Sequence, residues 1–404
     1  MTILKRREFL GKMGAGIAVL SRGLPPAPAE PLSIGLIGAG ARGKWLAKIA
    51  AAIPGLRVAA CCDLLSANHQ ACHKEVGPPL AFYTDYRKLL ESKAISAVII
   101  ATPLFLHFEM AEEALKAGKH VYCEKTMTHT RQQAAALKKL TANLPGQVFQ
   151  VGYQHRFNPV YQEVKFLLDQ GYCGKLAKVD CTWNRNGNWR RTLPDNVHFT
   201  ASKDYPDLEH LVNWRMYDRY SGGLVAELCS HQMDLLHWLT GDRPEWIMGT
   251  GGIDYWKDGR DTYDNVHLLV QYKKGLKASF TSLTSNALQG YSIKIQGDKG
   301  SIVITGEDGH TARIYAENTE TQADGVTAAT KLSWENGEGI RVRVKNPARD
   351  DVLPTEGALR HFAQCISERR MPVSNIHTAY TSAVTVCLAN EAISKGGKII
   401  WKEN

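Results

Sequence analysis

Residues 32–53 run LSIGLIGAGARGKWLAKIAAAI. A short apolar strand, Leu32 to Ile37, meets the tight turn Gly38-Ala39-Gly40-Ala41-Arg42-Gly43, and a helical pattern follows. Gly-x-Gly-x-x-Gly alone is a weak signal, but a strand before it and a helix after it are the context a dinucleotide turn requires. The glycines let the backbone approach a pyrophosphate, and the helix start offers free N–H groups and a partial positive charge. A second strand, LRVAACCD, ends in Asp63, 20 residues beyond Gly43. That is where a carboxylate receives the adenosine ribose hydroxyls. Asp63 would repel a 2′-phosphate, so NAD is expected rather than NADP.

The alternation continues. AISAVIIATP is a buried strand ending at Thr102-Pro103, a helix covers about Phe105–Ala117, and HVYCEK is the next strand. A helix near Arg131–Thr141 and the strand QVFQVGY complete the pattern. Alternating strands and helices predict a doubly wound parallel sheet, which binds its ligand at the carboxyl ends of the strands. Thr102, Glu124 and Lys125 fall at those ends. Past Tyr153 the pattern changes: KLAKVDCTW, EWIMGTGGIDY, DNVHLLVQY, LKASFTSLTS, GYSIKIQG and GSIVITG are strands separated by Gly, Asp and Lys turns. Such a run predicts an open, mostly antiparallel sheet. The expected fold class is α/β: an NAD(P)-binding Rossmann domain over 30–153 and an α+β substrate and oligomerisation domain over 154–404. The tail, ALRHFAQCISERR and HTAYTSAVTVCLANEAISKGGKII, is two helices and a short strand that complete the second domain or pack back on the first.

Residues 1–29 have a different character. KRREFLGK precedes a soft apolar run, and Ala27-Pro28-Ala29 has the small-x-small pattern of a signal-peptidase site. Arg6-Arg7 in this setting is a twin-arginine export signal, which implies passage through the translocation machinery for folded proteins and a periplasmic or extracytoplasmic destination. The formal charge of +9 includes five Lys/Arg and one Glu within 1–29, so about +5 remains after cleavage. The remaining Lys and Arg are scattered, whereas a nucleic-acid surface needs clustering; no nucleic-acid partner is expected. Nine cysteines in an exported chain would suggest disulfides. The odd count, the lack of Cys-x-x-Cys and the apolar settings VAACCD, VYCEK and VCLAN instead predict buried small hydrophobes. No metal-site spacing occurs.

Taken together, GAGARG, ATPLFLH, VYCEKT, VGYQHRF, GGLVAELCSHQMD and IQGDKGSIVI resemble the Gfo/Idh/MocA family of dinucleotide-dependent oxidoreductases over essentially all of residues 32–395. By that resemblance Gly38 to Gly43, Asp63, Thr102, Pro103, His107, Glu124 and Lys125 line the cofactor. Glu124-Lys125 is the family's Glu-Lys-Pro motif, whose lysine lies beside the nicotinamide and the reacting hydroxyl. The family often has a cis peptide before that proline; Thr126 stands in its place here. The Asp-x-x-x-His pair matches Glu227 and His231, the histidine being the usual proton acceptor or donor. The resemblance also implies a second-domain sheet with one face on the substrate pocket and the other often mediating oligomers, hence a homo-oligomer.

The residues support these roles independently. GGLVAELCSHQMDLLHWLTG looks helical, so Glu227 and His231, four apart, share a face. A carboxylate one turn from an imidazole can orient it and raise its basicity, and histidine titrates where a general base should. Lys125 can stabilise a developing alkoxide. Zinc is not expected, because Glu227 and His231 alone are too few ligands and His237 faces elsewhere. The segment 183–220, WNRNGNWRRTLPDNVHFTASKDYPDLEHLVNWRMYDRY, is a long insertion rich in Trp and Arg. Flat aromatic faces suit sugar C–H faces, and arginine forks bind hydroxyls or carboxylates. Arg156, Trp183, Arg185, Trp214 and Arg215 are the candidate substrate contacts.

The expected function is an exported, NAD-dependent oxidation of a hydroxyl on a sugar, glycoside or polyol. The periplasm offers no free nicotinamide pool, so the cofactor is expected to be loaded in the cytosol and tightly held. The alternative is a redox-neutral glycoside hydrolase or lyase acting through a transient 3-keto sugar, as exported relatives of the NAD-dependent N-acetylgalactosaminidase kind suggest.

Overall fold

The computed structural model describes residues 30–194, 197, 199–306, 309–317, 339–342 and 353–402. The export signal read in residues 1–29 lies outside them. Six strands form the first sheet: β1 (Leu32–Ile37), β2 (Leu56–Cys62), β3 (Ala81–Tyr83), β4 (Ala97–Ile100), β5 (His120–Cys123) and β6 (Phe149–Val151). Their order is β3-β2-β1-β4-β5-β6, and all five pairings are parallel. The strand order reverses between β1 and β4, which opens the ligand crevice above their carboxyl ends.

A parallel sheet covered on both faces needs apolar residues facing both ways. In β4, Ala97 and Ile99 face one core cluster while Val98 and Ile100 face the other. All four are fully buried. The first cluster joins Ile34 and Leu36 to Leu46, Ala47 and Ala50 of α1 (Ala41–Ala52). It also receives Ala358, Leu359, Phe362 and Cys365 from a helix near the far end of the chain, Pro354–Ser367. The second cluster is covered by His107–Lys116 and Arg131–Ala142, through Met110, Ala111, Ala114, Ala134 and Leu137. Each large aliphatic side chain so buried contributes about 1.5–3 kcal/mol.

The second sheet has nine strands in the order β14-β13-β12-β11-β7-β10-β9-β8-β15. The bounds are β7 (Leu176–Trp183), β8 (Pro244–Gly252), β9 (Asn265–Tyr272), β10 (Lys277–Leu283), β11 (Tyr291–Gly297), β12 (Gly300–Thr305), β13 (Thr311–Ala316), β14 (Ile340–Arg341) and β15 (Ile399–Ile400). The β7–β10 pair is parallel and the others are antiparallel. All six strands read from the sequence are present, and β9 keeps strict in–out alternation of burial, as a sheet with one covered face should. The described residues of 184–220 form an irregular excursion containing the short helix Leu208–Val212 and a 3-10 turn, Trp214–Met216.

Between the sheets lies the helix Ser230–Thr240, ended by Gly241 in the left-handed conformation (φ 60°), the usual role of glycine just past a helix. Gln232 ties it to the second sheet by donating to the carbonyls of Thr182 (3.0 Å) and Ser292 (3.2 Å). Asp234 ties it to the turn after β6. Arg156 Nε and Nη2 donate to its two oxygens at 2.8 and 2.7 Å, with both side chains essentially unexposed. Arg156 Nη1 donates to the carbonyl of Val373 (2.9 Å), and Ser382 Oγ donates to Asp234 (2.9 Å). The expectation that Arg156 contacts substrate is therefore corrected: its guanidinium is committed to this buried pair.

A buried pair resists the loss of one partner far more than the loss of both. Asp234→Ala or Arg156→Leu alone should destabilise the protein by about 3–5 kcal/mol, seen as a lowered midpoint in denaturant unfolding. Arg156→Leu combined with Asp234→Leu should cost less than either single change.

Candidate functional site

The glycine turn is built for close approach. Gly38 has φ +88°, and a Cβ there would lie 2.8 Å from the backbone of Ala101. A Cβ on Gly43 would lie 1.8 Å from the carbonyl oxygen of Gly38, so α1 can start against the turn only if that residue has no side chain. At Gly40 the opposite holds: a Cβ would meet nothing within 4 Å. Gly40 is the residue before α1, and no side chain caps the helix. Open space in front of uncapped N–H groups suits a pyrophosphate.

Asp63 sits at the end of β2. Its Oδ2 accepts from the Ala39 N–H at 2.7 Å, and its Oδ1 accepts from the Leu65 N–H (2.9 Å) and Asn68 Nδ2 (3.0 Å). The carboxylate is thereby fixed beside the turn, where a ribose diol would be held and a 2′-phosphate repelled. Arg42 Nε donates to Glu124 Oε1 at 2.8 Å, so two residues expected at the cofactor are joined to each other. His107 is 2% exposed and has its ring nitrogens 2.9 Å from the Thr102 carbonyl and 2.8 Å from the Thr126 carbonyl. It braces the ends of β4 and β5 from beneath. Thr102 Oγ1 points to the Met110 sulfur (3.5 Å), and Pro103 opens the 3-10 turn Leu104–Leu106.

The candidate reaction centre lies where the turn after β5 meets the helix of the second half. The Lys125–Thr126 peptide is cis, the conformation family members often adopt before proline. Lys125 Nζ donates to the carbonyls of Ala226 (3.1 Å) and Glu227 (2.9 Å). Those carbonyls belong to a π-helical turn, Val225–Cys229, in which the Ser230 N–H reaches back five residues to Val225. Widening the turn turns carbonyls away from the ordinary ladder, and such π-turns recur at functional sites. Residues 222–241, read as one regular helix, are therefore a π-turn followed by an α-helix.

That change redirects Glu227. Its carboxylate accepts from Arg215 Nε at 2.8 Å instead of orienting His231, as the spacing of four had suggested. Burial works against its charge, but Arg215 and Lys125 overcome it and hold the pKa down to about 2. His231 is 6% exposed, and Nδ1 has no hydrogen-bond partner among the described residues. Burial first, then the positive charges of Lys125 and its neighbours, push its pKa well below the ordinary imidazole value. So placed, it can serve as a neutral base, with neither tautomer locked. Burial also lowers Lys125, against the pull of Glu227 and Glu124.

Aromatic groups enclose His231. Its ring lies 5.6 Å from Trp183, 4.9 Å from His155 and 6.2 Å, edge-on, from Tyr153. Trp183, one of the candidate substrate contacts, is thus beside His231, and Arg185 lies over it at 5.3 Å. Trp214 carries Arg215 at 4.2 Å. From VGYQHRF sequence reasoning took a family marker and Arg156, and did not single out Tyr153 or His155. Their place just past β6, at a carboxyl end, was the signal available. Arg191 was also passed over.

Two outcomes follow from this geometry. Asp63→Ala should weaken NAD binding about tenfold to a hundredfold, the loss of a charged hydrogen-bonding group, and narrow the preference over NADP, as read by fluorescence titration. For the base, a lowered His231 pKa means protonation silences it only at lower pH. The pH profile of kcat/KM should therefore stay flat through the ordinary histidine value of about 6.5 and fall below it, while Glu227 remains ionised. An acid limb centred at 6.5 or above would contradict the assignment.

Comparison with known proteins bears on the whole of this arrangement. Residues 32–153 match the Gfo/Idh/MocA oxidoreductase family, NAD-binding Rossmann fold, and residues 161–303 match the Gfo/Idh/MocA C-terminal domain. An uncharacterized oxidoreductase of Synechocystis is 27% identical over 332 residues, covering 77% of this chain and 80% of that protein. Inositol 2-dehydrogenase of Rhizobium meliloti is 26% identical over 275 residues, 66% and 74% of the two chains. Among solved structures, a levoglucosan dehydrogenase in complex with NADH shares the fold with a TM-score of 0.72 at 19% identity, covering 92% of this chain and 99% of that one. The myo-inositol 2-dehydrogenase of Lactobacillus plantarum does so with a TM-score of 0.70 at 20% identity, covering 92% and 100%. Sheet order, glycine turn and matched segments agree: the chain belongs to the Gfo/Idh/MocA family of NAD-binding oxidoreductases.

Proposed function

We propose that this protein oxidises a hydroxyl group of a sugar, glycoside or polyol, using an NAD that it retains, outside the cytoplasm. The observation that carries the reading is the pairing of Lys125, gripped by the π-turn carbonyls, with a buried neutral His231 on the helix that continues from that turn. Relatives named for inositol and levoglucosan support a polyhydroxylated substrate.

The glycine turn, Asp63 and the end of β5 would hold the nucleotide. Bound there, NAD supplies the hydride acceptor. The chain's own residues do the rest. The imidazole of His231 takes the hydroxyl proton as the carbon–hydrogen bond breaks, and the product is a ketone. The Lys125 ammonium stabilises the alkoxide that develops on the substrate oxygen. Glu227, neutralised by Arg215, holds the positive charge near Lys125 without competing for the proton. Trp183 and Trp214 offer flat faces to the ring of the substrate and keep water from the base.

Export and retention rest on Arg6-Arg7 and the leader that follows them. All nine cysteines are free thiols and eight are buried, which suits a chain that folds in a reducing compartment before it leaves. Loading of the nucleotide requires a folded Rossmann domain, and a signal for folded passengers fits that need. Turnover with a retained cofactor then requires a second electron acceptor.

Purified mature protein, given free sugars and aryl glycosides without added NAD, should develop the near-ultraviolet absorbance of reduced nicotinamide and keep it until an acceptor is supplied. Aglycone release with no net change in that absorbance would overturn this in favour of redox-neutral glycoside cleavage. Lys125→Ala should lower turnover by about a hundredfold or more, the usual scale for an electrostatic or proton-transfer group, with NAD still bound. Protein recovered from the envelope should carry nucleotide; folded protein that cannot retain it would refute the export reading.

A further inference from the structure

The insertion over residues 183–220 carries five arginines besides those already placed in the buried core: Arg185, Arg190, Arg191, Arg215 and Arg219. Three have protein partners for their guanidinium groups. Arg190 pairs with Glu209 and Asp258, Arg215 with Glu227, and Arg219 Nη2 donates to the Lys203 carbonyl at 2.9 Å. Arg185 and Arg191 have no acidic partner among the described residues.

Both unpaired groups are set by neighbours that leave their donors available. Arg185 lies 5.3 Å over the indole of Trp183, whose ring is 5.6 Å from that of His231. A guanidinium stacked by its face keeps its N–H fork free at the edge. Arg191 is positioned through its backbone: its N–H donates to Asn213 Oδ1 (2.6 Å), and its carbonyl accepts from Asn213 Nδ2 (3.0 Å). That clasp sets it beside Arg215, two residues further on. The two arginines feel each other: partial burial first, then the Arg215 charge, lowers the pKa of Arg191, with Glu227 opposing. Arg185 likewise adds to the positive field that keeps His231 neutral.

Around the centre Arg42 is bonded to Glu124 and Arg215 to Glu227, while the side chains of Lys125, Arg185 and Arg191 are bonded to no carboxylate among the described residues. Arg185 and Arg191 are both exposed to solvent, so a ligand entering the site can reach their guanidinium groups, and an anion is what an unpaired guanidinium fork receives best. A neutral sugar would leave both forks unpaired.

We infer that the substrate carries an anionic group, and that Arg185 and Arg191 are the forks that receive it while Lys125 and His231 act on a hydroxyl elsewhere on the same ring. The inference rests on the proposed reaction at this site and narrows its substrate class to acidic sugars. A carboxylate, a sulfate or a phosphate presents the same paired oxygens to a guanidinium fork; a hexuronate is the smallest sugar with that chemistry.

The test uses full-length mature protein loaded with NADH and read by isothermal titration calorimetry. The probes are the glucose, galactose and mannose forms of four ligands: the neutral hexose, its uronate, its 6-sulfate and its 6-phosphate. At least one acidic series should bind about tenfold or more tightly than the matching neutral hexose, with a preference that weakens as salt rises. The series with the strongest preference identifies the anionic group. In Arg185→Gln, Arg191→Gln and the double variant, the ratio of acidic to neutral affinity should fall stepwise toward one. Equal affinity for acidic and neutral sugars, or a preference that survives the double substitution, would overturn the inference. An arginine-dependent preference for acidic sugars, with no reduction of NAD when the same sugars are given to protein loaded with NAD, would uphold this inference and reject the proposed oxidation.

Discussion

The grip of Lys125 on the carbonyls of Ala226 and Glu227 is the contact on which the rest of the site depends. It spans 101 and 102 residues of sequence and joins the turn after β5 of the nucleotide-binding sheet to the π-turn that leads into the helix between the two sheets. A lysine ammonium has three donors and no acceptor. Two are taken by the widened turn, which sets the direction in which the third can point. The same turn delivers His231 two residues after it ends. Lysine and histidine are therefore not independently placed. Arg156–Asp234 and the two bonds of Gln232 then fix the helix against both halves of the molecule.

Much of the fold was legible from residues 32–63, because a strand, three glycines at fixed spacing and a carboxylate leave little choice of arrangement. A doubly wound parallel sheet followed from that pattern and its continuation. Each of the six predicted strands of the second sheet also appeared, since alternation and turn residues are local signals. The three-residue β3 and the strand Thr311–Ala316 were not read: the first is too short to show a period. Arg156 was misread because type and position do not reveal a partner 78 residues away. Nor does any sequence rule mark where a helix widens by one residue, and so Glu227 was aligned with His231 when its carboxylate faces Arg215.

Charge is organised in two layers around the base. Close in, Arg42 with Glu124 and Arg215 with Glu227 are matched pairs. They let polar groups sit at the boundary of the two halves without stranding a single buried ion. Further out the balance is positive. The combined field keeps the imidazole uncharged and so ready to accept a proton, a condition that burial alone would also favour. Apolar enclosure by Trp183 and Tyr153 strengthens every one of these interactions by lowering the local dielectric.

The helix Pro354–Ser367 fills a face of the first sheet through Ala358, Leu359, Phe362 and Cys365, against Ile34 and Leu36. The nucleotide-binding half is thus finished by a piece of chain made only after its own six strands and most of the second sheet. A nascent chain that has already made all six strands of that sheet still lacks part of the wall behind them. Folding of this half waits for the other half to be made, and a cut that separates the two halves by sequence alone would leave the first one with an apolar face open to water.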